Sequence, residues 1–270
     1  MAVALDQQKL EAALQLGHDS TYLPFSLHIF DSVASTNRTL WELLNQGASP
    51  GTVVIATQQT AGRGQWGRQW VSPSGGLYLS VAIAPNLEAN TSYQLTLASA
   101  WGIAHQLRQC GINVGIKWPN DLVLDGRKLG GILTETKVNQ GMITQAVIGV
   151  GINWSNPVPE TGINLKSWQA HQSNQPISCL EMLTCQVLQG IASGMSCLCH
   201  AGVNILLSRY LELLVNIGDR VYVNNLAGTI IGVTPQGDLR VALETESIND
   251  IKTPEIYLEP GTISLGYRRS

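Results

Sequence analysis

Apolar and polar positions follow two rhythms along the chain. Residues 26–31, 52–59, 76–84 and 143–150 read as strands, being rich in branched residues and either alternating or continuously apolar over short runs. Runs 121–124 and 127–136 read as a β-hairpin, because Asp125-Gly126 between them is a strong two-residue turn signal. Helical spacing appears over residues 5–16. It returns where Ser35-Thr36-Asn37 opens a helix through Leu40, Leu43 and Leu44 that Gly47 stops. From Ser92 to Cys110 a helix carries Leu95, Ser99, Ile103 and Leu107 near one face and ends at Gly111. Two more helices fill 178–193 and 202–215. From Gly218 onward the rhythm changes to short strands at 220–223, 229–233, 239–243 and 261–265, with Gly237-Asp238 as a turn. The pattern predicts an α+β chain in three parts: an N-terminal helix and extension over 1–25, a main unit over 26–216, and a small β-barrel over 217–270, with a boundary near Ile217.

Composition narrows the function classes. The chain has 270 residues, 44% hydrophobic and 13% charged, enough for a sizeable core and too apolar for disorder. A net charge of −3 and a pI near 5.9 show no basic stripe, which disfavours a nucleic-acid partner. No apolar run is read as reaching transmembrane length, and Asp6 with no basic n-region argues against a secretory signal. Five cysteines cannot all pair within one chain, so reduced thiols in the cytoplasm are the simpler expectation. Cys197-Leu198-Cys199-His200 has no second ligand pair at a metal-site spacing and reads as small residues near a helix end.

The chemistry concentrates in two stretches. Gly62, Gly64 and Gly67 formally match GxGxxG, but that fingerprint needs a helix directly after it. Here Pro73, Gly75 and Gly76 lead into another strand. Nor does a Lys-Ser/Thr come next, as a phosphate loop of the GxxxxGK[ST] type requires. There remains a glycine loop with Arg63, Arg68, Trp66 and Trp70. Glycines let the backbone approach a ligand, arginine forks match phosphate and carboxylate oxygens, and Trp offers a face to a base. A solvated hairpin with one buried Trp would use the same residues.

The second stretch is Lys117-Trp118-Pro119-Asn120-Asp121 with Arg127-Lys128-Leu129-Gly130-Gly131. With a two-residue turn at Asp125-Gly126, Val123 faces Lys128 and Asp121 faces Gly130, so Asp121, Val123, Lys128 and Gly130 share one face. A cation and an anion then lie beside a glycine that leaves room for a ligand. A plain cross-strand ion pair would be worth less than ~1 kcal/mol and leaves the two glycines inside a strand unexplained. Pro119 restricts the chain before it and would aim Lys117 into the same cleft.

The joint order of Ser35-Thr36-Asn37, Gln59, the glycine loop, KWPND, RKLGGI, GVGIN and a C-terminal GTISL resembles that of biotin–protein ligases, the biotin–acetyl-CoA-carboxylase ligases, over about residues 26–266. The resemblance is to the monofunctional type. A regulatory helix-turn-helix domain takes about three helices, and only about 25 residues precede the first strand. It implies a mixed β-sheet catalytic domain backed by helices, of class II synthetase-like type, and an SH3-like C-terminal barrel. It also implies ATP and Mg²⁺, with biotin and a biotin carboxyl carrier protein as partners and a monomer or homodimer as the assembly. By this resemblance Ser35, Thr36, Asn37 and Gln59 bind biotin's ureido head, with Gly64, Gln65, Gly130 and Gly131 near it. Arg63 and Lys128, with Lys117, carry the catalysis at the carboxylate and α-phosphate. Arg68, Trp70, Asn120 and Asn153 contact ATP, and Asp121 takes Mg²⁺ or the pyrophosphate side. One departure is Gln65, where many members carry arginine, and the segment 154–168 is short. A lipoate ligase or octanoyl transferase would lack the GRGxxGR loop and the KWPND–KLGG pairing. An idle biotin-binding module would not need a phosphate site.

Overall fold

A computed structural model describes residues 5–16, 25–244 and 254–267; the rest of the expected N-terminal extension lies outside the described residues. The chain begins with α1 (Gln7–Leu16), β1 (Ser26–Phe30), α2 (Thr36–Asn45), β2 (Thr52–Ala56), β3 (Leu77–Ile83) and the short β4 (Leu87–Glu88). Next come α3 (Tyr93–Gln109), β5 (Gly115–Lys117), β6 (Asp121–Leu124), β7 (Arg127–Asn139) and β8 (Met142–Ile152). The helices α4 (Leu165–Gln169), α5 (Leu180–Ser196) and α6 (Val203–Leu213) come after them. Last are β9 (Arg220–Val223), β10 (Leu226–Val233), β11 (Leu239–Leu243) and β12 (Glu255–Leu258).

Eight strands form one mixed sheet in the order β1-β2-β3-β8-β7-β6-β5, with β4 added beside β8. Only β1 and β2 pair in parallel, as the intervening α2 crossover requires. The hairpin turns are built from residues that accept positive φ: Asp125-Gly126 (47° and 72°) between β6 and β7, and Gln140-Gly141 (48° and 78°) between β7 and β8.

Helices cover both sheet faces. On one, α2 packs Leu40 and Leu44 against Val54, Ala82 and Val147. On the other, α3 is buried nearly all round between the sheet and α5. Glycines set that helix contact: a Cβ on Gly102 would stand 1.9 Å from the Gly190 carbonyl oxygen, and one on Gly194 would stand 2.1 Å from the Ala98 oxygen. Leu180–Ala201 is in fact long and apolar enough by composition to cross a membrane, contrary to the expectation from sequence. Of its apolar 18-residue window 56% is buried in the protein, where α5 packs on α3.

The C-terminal strands form a second, antiparallel sheet in the order β12-β11-β10-β9. Among the described residues its order is linear, without the closure expected of a barrel. Residues 261–265 do not form the expected strand; the last strand among the described residues is β12, earlier in the chain. Gly261, at φ 100°, and a turn in which the Thr262 amide donates to the Glu259 carbonyl lead the chain off the sheet. The chain then runs toward the first sheet, where Ile263, Ser264 and Leu265 line a cleft.

Candidate active site

An open cleft lies on the same face of the first sheet as α2, beside the N-terminal end of that helix. Its floor is made of glycine. Gly151 pairs with Gly131 of β7 and Gly149 with Leu133, and Tyr78 and Ser80 of β3 lie opposite the same two glycines of β8. Residues two apart share a strand face, so Gly131, Leu133, Glu135, Gly149, Gly151 and Ser80 all point to the cleft side. The missing side chains are replaced by others from above. A Cβ on Gly149 would stand 2.1 Å from Asn37 Oδ1, and one on Gly151 would stand 2.5 Å from Trp70 Nε1.

Neutral polar groups gather at the start of α2. Ser35, Thr36 and Asn37 are buried. Ser35 is the N-cap residue, but its hydroxyl does not cap the helix, so capping does not account for it. Gln59 Oε1 accepts from the Thr36 amide at 2.9 Å, and Gln59 Nε2 donates to Ser72 Oγ at 2.8 Å. Ser80, fully buried in β3, lies 2.8 Å from Thr36 Oγ1 and 2.6 Å from Asn37 Oδ1. Asn37 Nδ2 donates to Glu135 Oε2 at 2.9 Å, and Arg63 Nη2 donates to Glu135 Oε1 at 2.6 Å. One carboxylate thus ties the glycine loop to this polar cluster.

Cations gather beside it. Lys117 stands directly opposite Asp121 across the β5–β6 hairpin, whose connection is Trp118-Pro119-Asn120. Asp121 Oδ1 faces Lys128 Nζ at 2.6 Å, and Oδ2 lies 3.6 Å from Lys117 Nζ. Tyr267 also donates its hydroxyl to Oδ2. Lys128 Nζ sits 5.1 Å above the Trp70 ring, and Lys117 Nζ lies 4.2 Å from the Tyr267 ring. Burial pushes the Lys117 ammonium below its ordinary pKa, with Asp121 pulling the other way. Burial, then the Asp121 charge, raises the Tyr267 phenol and keeps it a donor.

The hairpin differs from its expected register. Asp121 faces Gly131, not Gly130, because Leu129 is an extra residue on β7. This bulge turns the Lys128 backbone outward, where its amide donates to the Thr161 carbonyl and its carbonyl accepts from Ile163. The segment after β8, short as it is, therefore clamps Lys128. Gly131 is the glycine beside the ion cluster: a Cβ there would lie 3.4 Å from Asp121 Oδ1 and 3.6 Å from Lys128 Cε. Gly130 instead lets β7 approach β8, since its Cβ would meet the Gly151 carbonyl oxygen at 2.6 Å.

Of the residues singled out in the sequence, Ser35, Thr36, Asn37, Gln59, Arg63, Gly64, Gln65, Arg68, Trp70, Lys117, Asn120, Asp121, Lys128 and Gly131 line this one cleft. Gly130 and Asn153 do not. Asn153 donates to the Lys128 carbonyl and accepts from Asn156 at 2.9 Å, so it supports the lysine from behind. Asn120 donates to the Ile132 carbonyl at 2.6 Å and braces the hairpin connection. Sequence reasoning misses Ser80, Glu135 and Tyr267. Ser80 carries a signal, being the one small polar residue in a strand run otherwise of apolar residues and Tyr78. Glu135 does not, because a charge near the end of an alternating strand reads as solvent-facing.

A resident metal fits poorly. The Asp121 oxygens already face two ammonium groups and a hydroxyl, and among the described residues no three His, Cys, Asp or Glu side chains gather to hold an ion. Among the described residues two buried side-chain polar atoms have no partner, Gln65 Oε1 and Trp70 Nε1, both at the cleft. Buried polar groups are ordinarily bonded, so both mark positions a ligand would satisfy.

Residues 29–153 match the family described as Biotin/lipoate A/B protein ligase family. The chain is 37% identical over 145 residues to the bifunctional ligase/repressor BirA of Bacillus subtilis, covering 53% of this chain and 45% of that protein. It is 34% identical over 135 residues to the biotin–[acetyl-CoA-carboxylase] ligase of Paracoccus denitrificans, covering 48% and 56%. The chain thus spans about half the length of the curated relatives it matches. The structure of the Aquifex aeolicus biotin protein ligase in complex with biotin and ATP superposes with a TM-score of 0.69 at 25% identity, over 91% of this chain and 99% of that one. Over residues 29–153 the chain is thus similar in sequence to the biotin/lipoate A/B protein ligase family, and over nearly its whole length it is similar in fold to a biotin protein ligase.

Proposed function

We propose that the protein is an ATP-dependent biotin–protein ligase. It joins biotin to AMP with release of pyrophosphate, then transfers biotin to a lysine of the biotin carboxyl carrier protein of acetyl-CoA carboxylase. The carrying observation is one cleft that places a buried neutral polar cluster next to a group of cations. Thr36, Asn37 and Gln59 suit an uncharged ureido ring, and Leu133 with the open glycine floor of Gly131, Gly149 and Gly151 suits an apolar ring and tail. Arg63, Arg68, Lys117 and Lys128 suit the meeting of a carboxylate with a triphosphate, an anion brought up to a polyanion.

In the first step a biotin carboxylate oxygen bonds to the α-phosphorus and the bond to pyrophosphate breaks. Lys128 and Arg63 hold the two negative groups together and neutralise the charge that develops, so catalysis rests on positioning and electrostatics. Asp121 keeps Lys117 and Lys128 in place as their shared counter-ion. Mg²⁺ enters as the partner of the triphosphate, where it would neutralise phosphate oxygens. In the second step the acceptor lysine amine bonds to the acyl carbon, and AMP leaves with the bonding electron pair. The protein needs no nucleophile of its own. The five free thiols suit a reducing compartment such as the cytoplasm.

The test is mass spectrometry of a biotin carboxyl carrier domain incubated with the protein, biotin and MgATP. One biotinyl group on one lysine is expected, and no modification would reject the assignment.

A further inference from the structure

We propose that Tyr267 is a positioning residue for the nucleotide step: it keeps Lys117 free to meet a phosphate by occupying the Asp121 oxygen that Lys117 would otherwise take. The identity of the nucleotide rests on the ligase function proposed for this cleft.

Asp121 is shared among three partners. Its Oδ1 is engaged by Lys128 at 2.6 Å. Its Oδ2 receives the Tyr267 hydroxyl, while Lys117 Nζ stays 3.6 Å from the same atom, beyond a good hydrogen bond. An ammonium has three protons to donate. Among the described residues Lys117 spends none of them at normal hydrogen-bond length; it has the distant carboxylate and the Tyr267 ring at 4.2 Å. Lys117 is thus a buried cation facing the cleft, neutralised only in part. Without the phenol, Oδ2 would turn onto Lys117 and close a tight pair, which commits that cation to the carboxylate.

The path of the chain supports a built contact. After β12, the tail crosses Trp66 of the glycine loop at Gly261, where any side chain would collide: a Cβ would stand 2.5 Å from Trp66 Nε1. Ile263, Ser264 and Leu265 then line the cleft, and Tyr267 reaches the ion cluster 146 residues away in sequence. The second sheet therefore contributes a side chain to the phosphate end of the first.

The experiment compares wild type, Tyr267→Phe and Tyr267→Ala in biotin-dependent pyrophosphate–ATP exchange, and in transfer from supplied biotinyl-adenylate to a carrier domain. A lost hydrogen bond to a charged acceptor should raise KM for ATP about tenfold in Tyr267→Phe. Tyr267→Ala, which also loses the ring over Lys117, should raise it further. KM for biotin and the rate of transfer should stay at wild-type values. An unchanged or lower KM for ATP in Tyr267→Ala overturns the proposal, as does an equal loss in both half-reactions, which marks structural damage. If the wild type exchanges with an acid other than biotin, the ligase reading fails on its substrate and the comparison runs with that acid. If it exchanges with none, calorimetric titration of wild type and Tyr267→Phe with MgATP decides, and equal affinities overturn the proposal.

Discussion

The residue on which the charge balance turns is Asp121. It is buried beside two lysines, and breaking a buried pair from one side leaves an uncompensated charge worth about 3–5 kcal/mol. Asp121→Asn should therefore lower stability by several degrees in a thermal melt. It should also change the pH profile. Burial already holds the Lys117 pKa below its ordinary value, and Asp121 is the main influence raising it. A lowered lysine pKa means the cation is lost sooner as pH rises, so a step that needs charged Lys117 fails on the alkaline side. Removing Asp121 lowers that pKa further, and the alkaline limb of kcat/KM for ATP should move to lower pH; an unmoved limb would separate Lys117 from the reaction. Gln65 is the other single residue with a sharp consequence. Its Oε1 is buried at the cleft without a partner among the described residues, and it supplies no charge there. Gln65→Arg should slow the release of free biotinyl-adenylate severalfold, read by trapping the released adenylate; equal release would show that this position does not retain it.

Among the elements, the glycines of β8 do what no side chain could. Gly149→Ala puts a carbon 2.1 Å from Asn37 Oδ1, so Asn37 must leave its bonds to Ser80 and Glu135. Biotin affinity should fall about tenfold or more, as when a buried hydrogen bond is lost, with α3 and α5 undisturbed. Gly102→Ala acts elsewhere: it forces α3 and α5 apart, costing roughly 1–3 kcal/mol of stability and about 2–4 °C in melting temperature per kcal/mol, while the affinity for biotin in the folded protein holds. Swapped phenotypes for these two variants would contradict the roles given to the sheet and its helices.

The elements with local signals are legible in the chain. Asp125-Gly126 marks its hairpin, Gly47 and Gly111 mark helix ends, and the glycine loop stands between two strands. The features that escape a sequence reading depend on distant partners. Leu129 becomes a bulge because residues 161–163 pair with Lys128 from outside the hairpin, and a local turn rule cannot contain that contact. The tail at 261–265 alternates like a strand, yet it leaves its sheet to line the cleft. Ser80, Glu135 and Tyr267 join the site only through contacts 43 to 146 residues away.

Over the molecule as a whole, two sheets meet at one cleft. Trp118 of the first sheet's β5–β6 connection donates its indole N–H to the Gly237 carbonyl of the β10–β11 turn at 2.8 Å, and its backbone amide donates to Asn216. The glycine loop, the KWPND hairpin and the C-terminal tail are thereby held around a common space. If this space joins an acid to AMP, labelled pyrophosphate should exchange into ATP there, with Mg²⁺, when the right acid is present. Biotin, lipoate and octanoate are the acids to compare. Rapid exchange is expected with biotin, none with the other two acids, and a loss of about 10²–10³-fold in Lys128→Ala, as for removal of a charge-stabilising donor. Absence of biotin-dependent exchange in a protein that still binds biotin would contradict the adenylate chemistry assigned to the cleft.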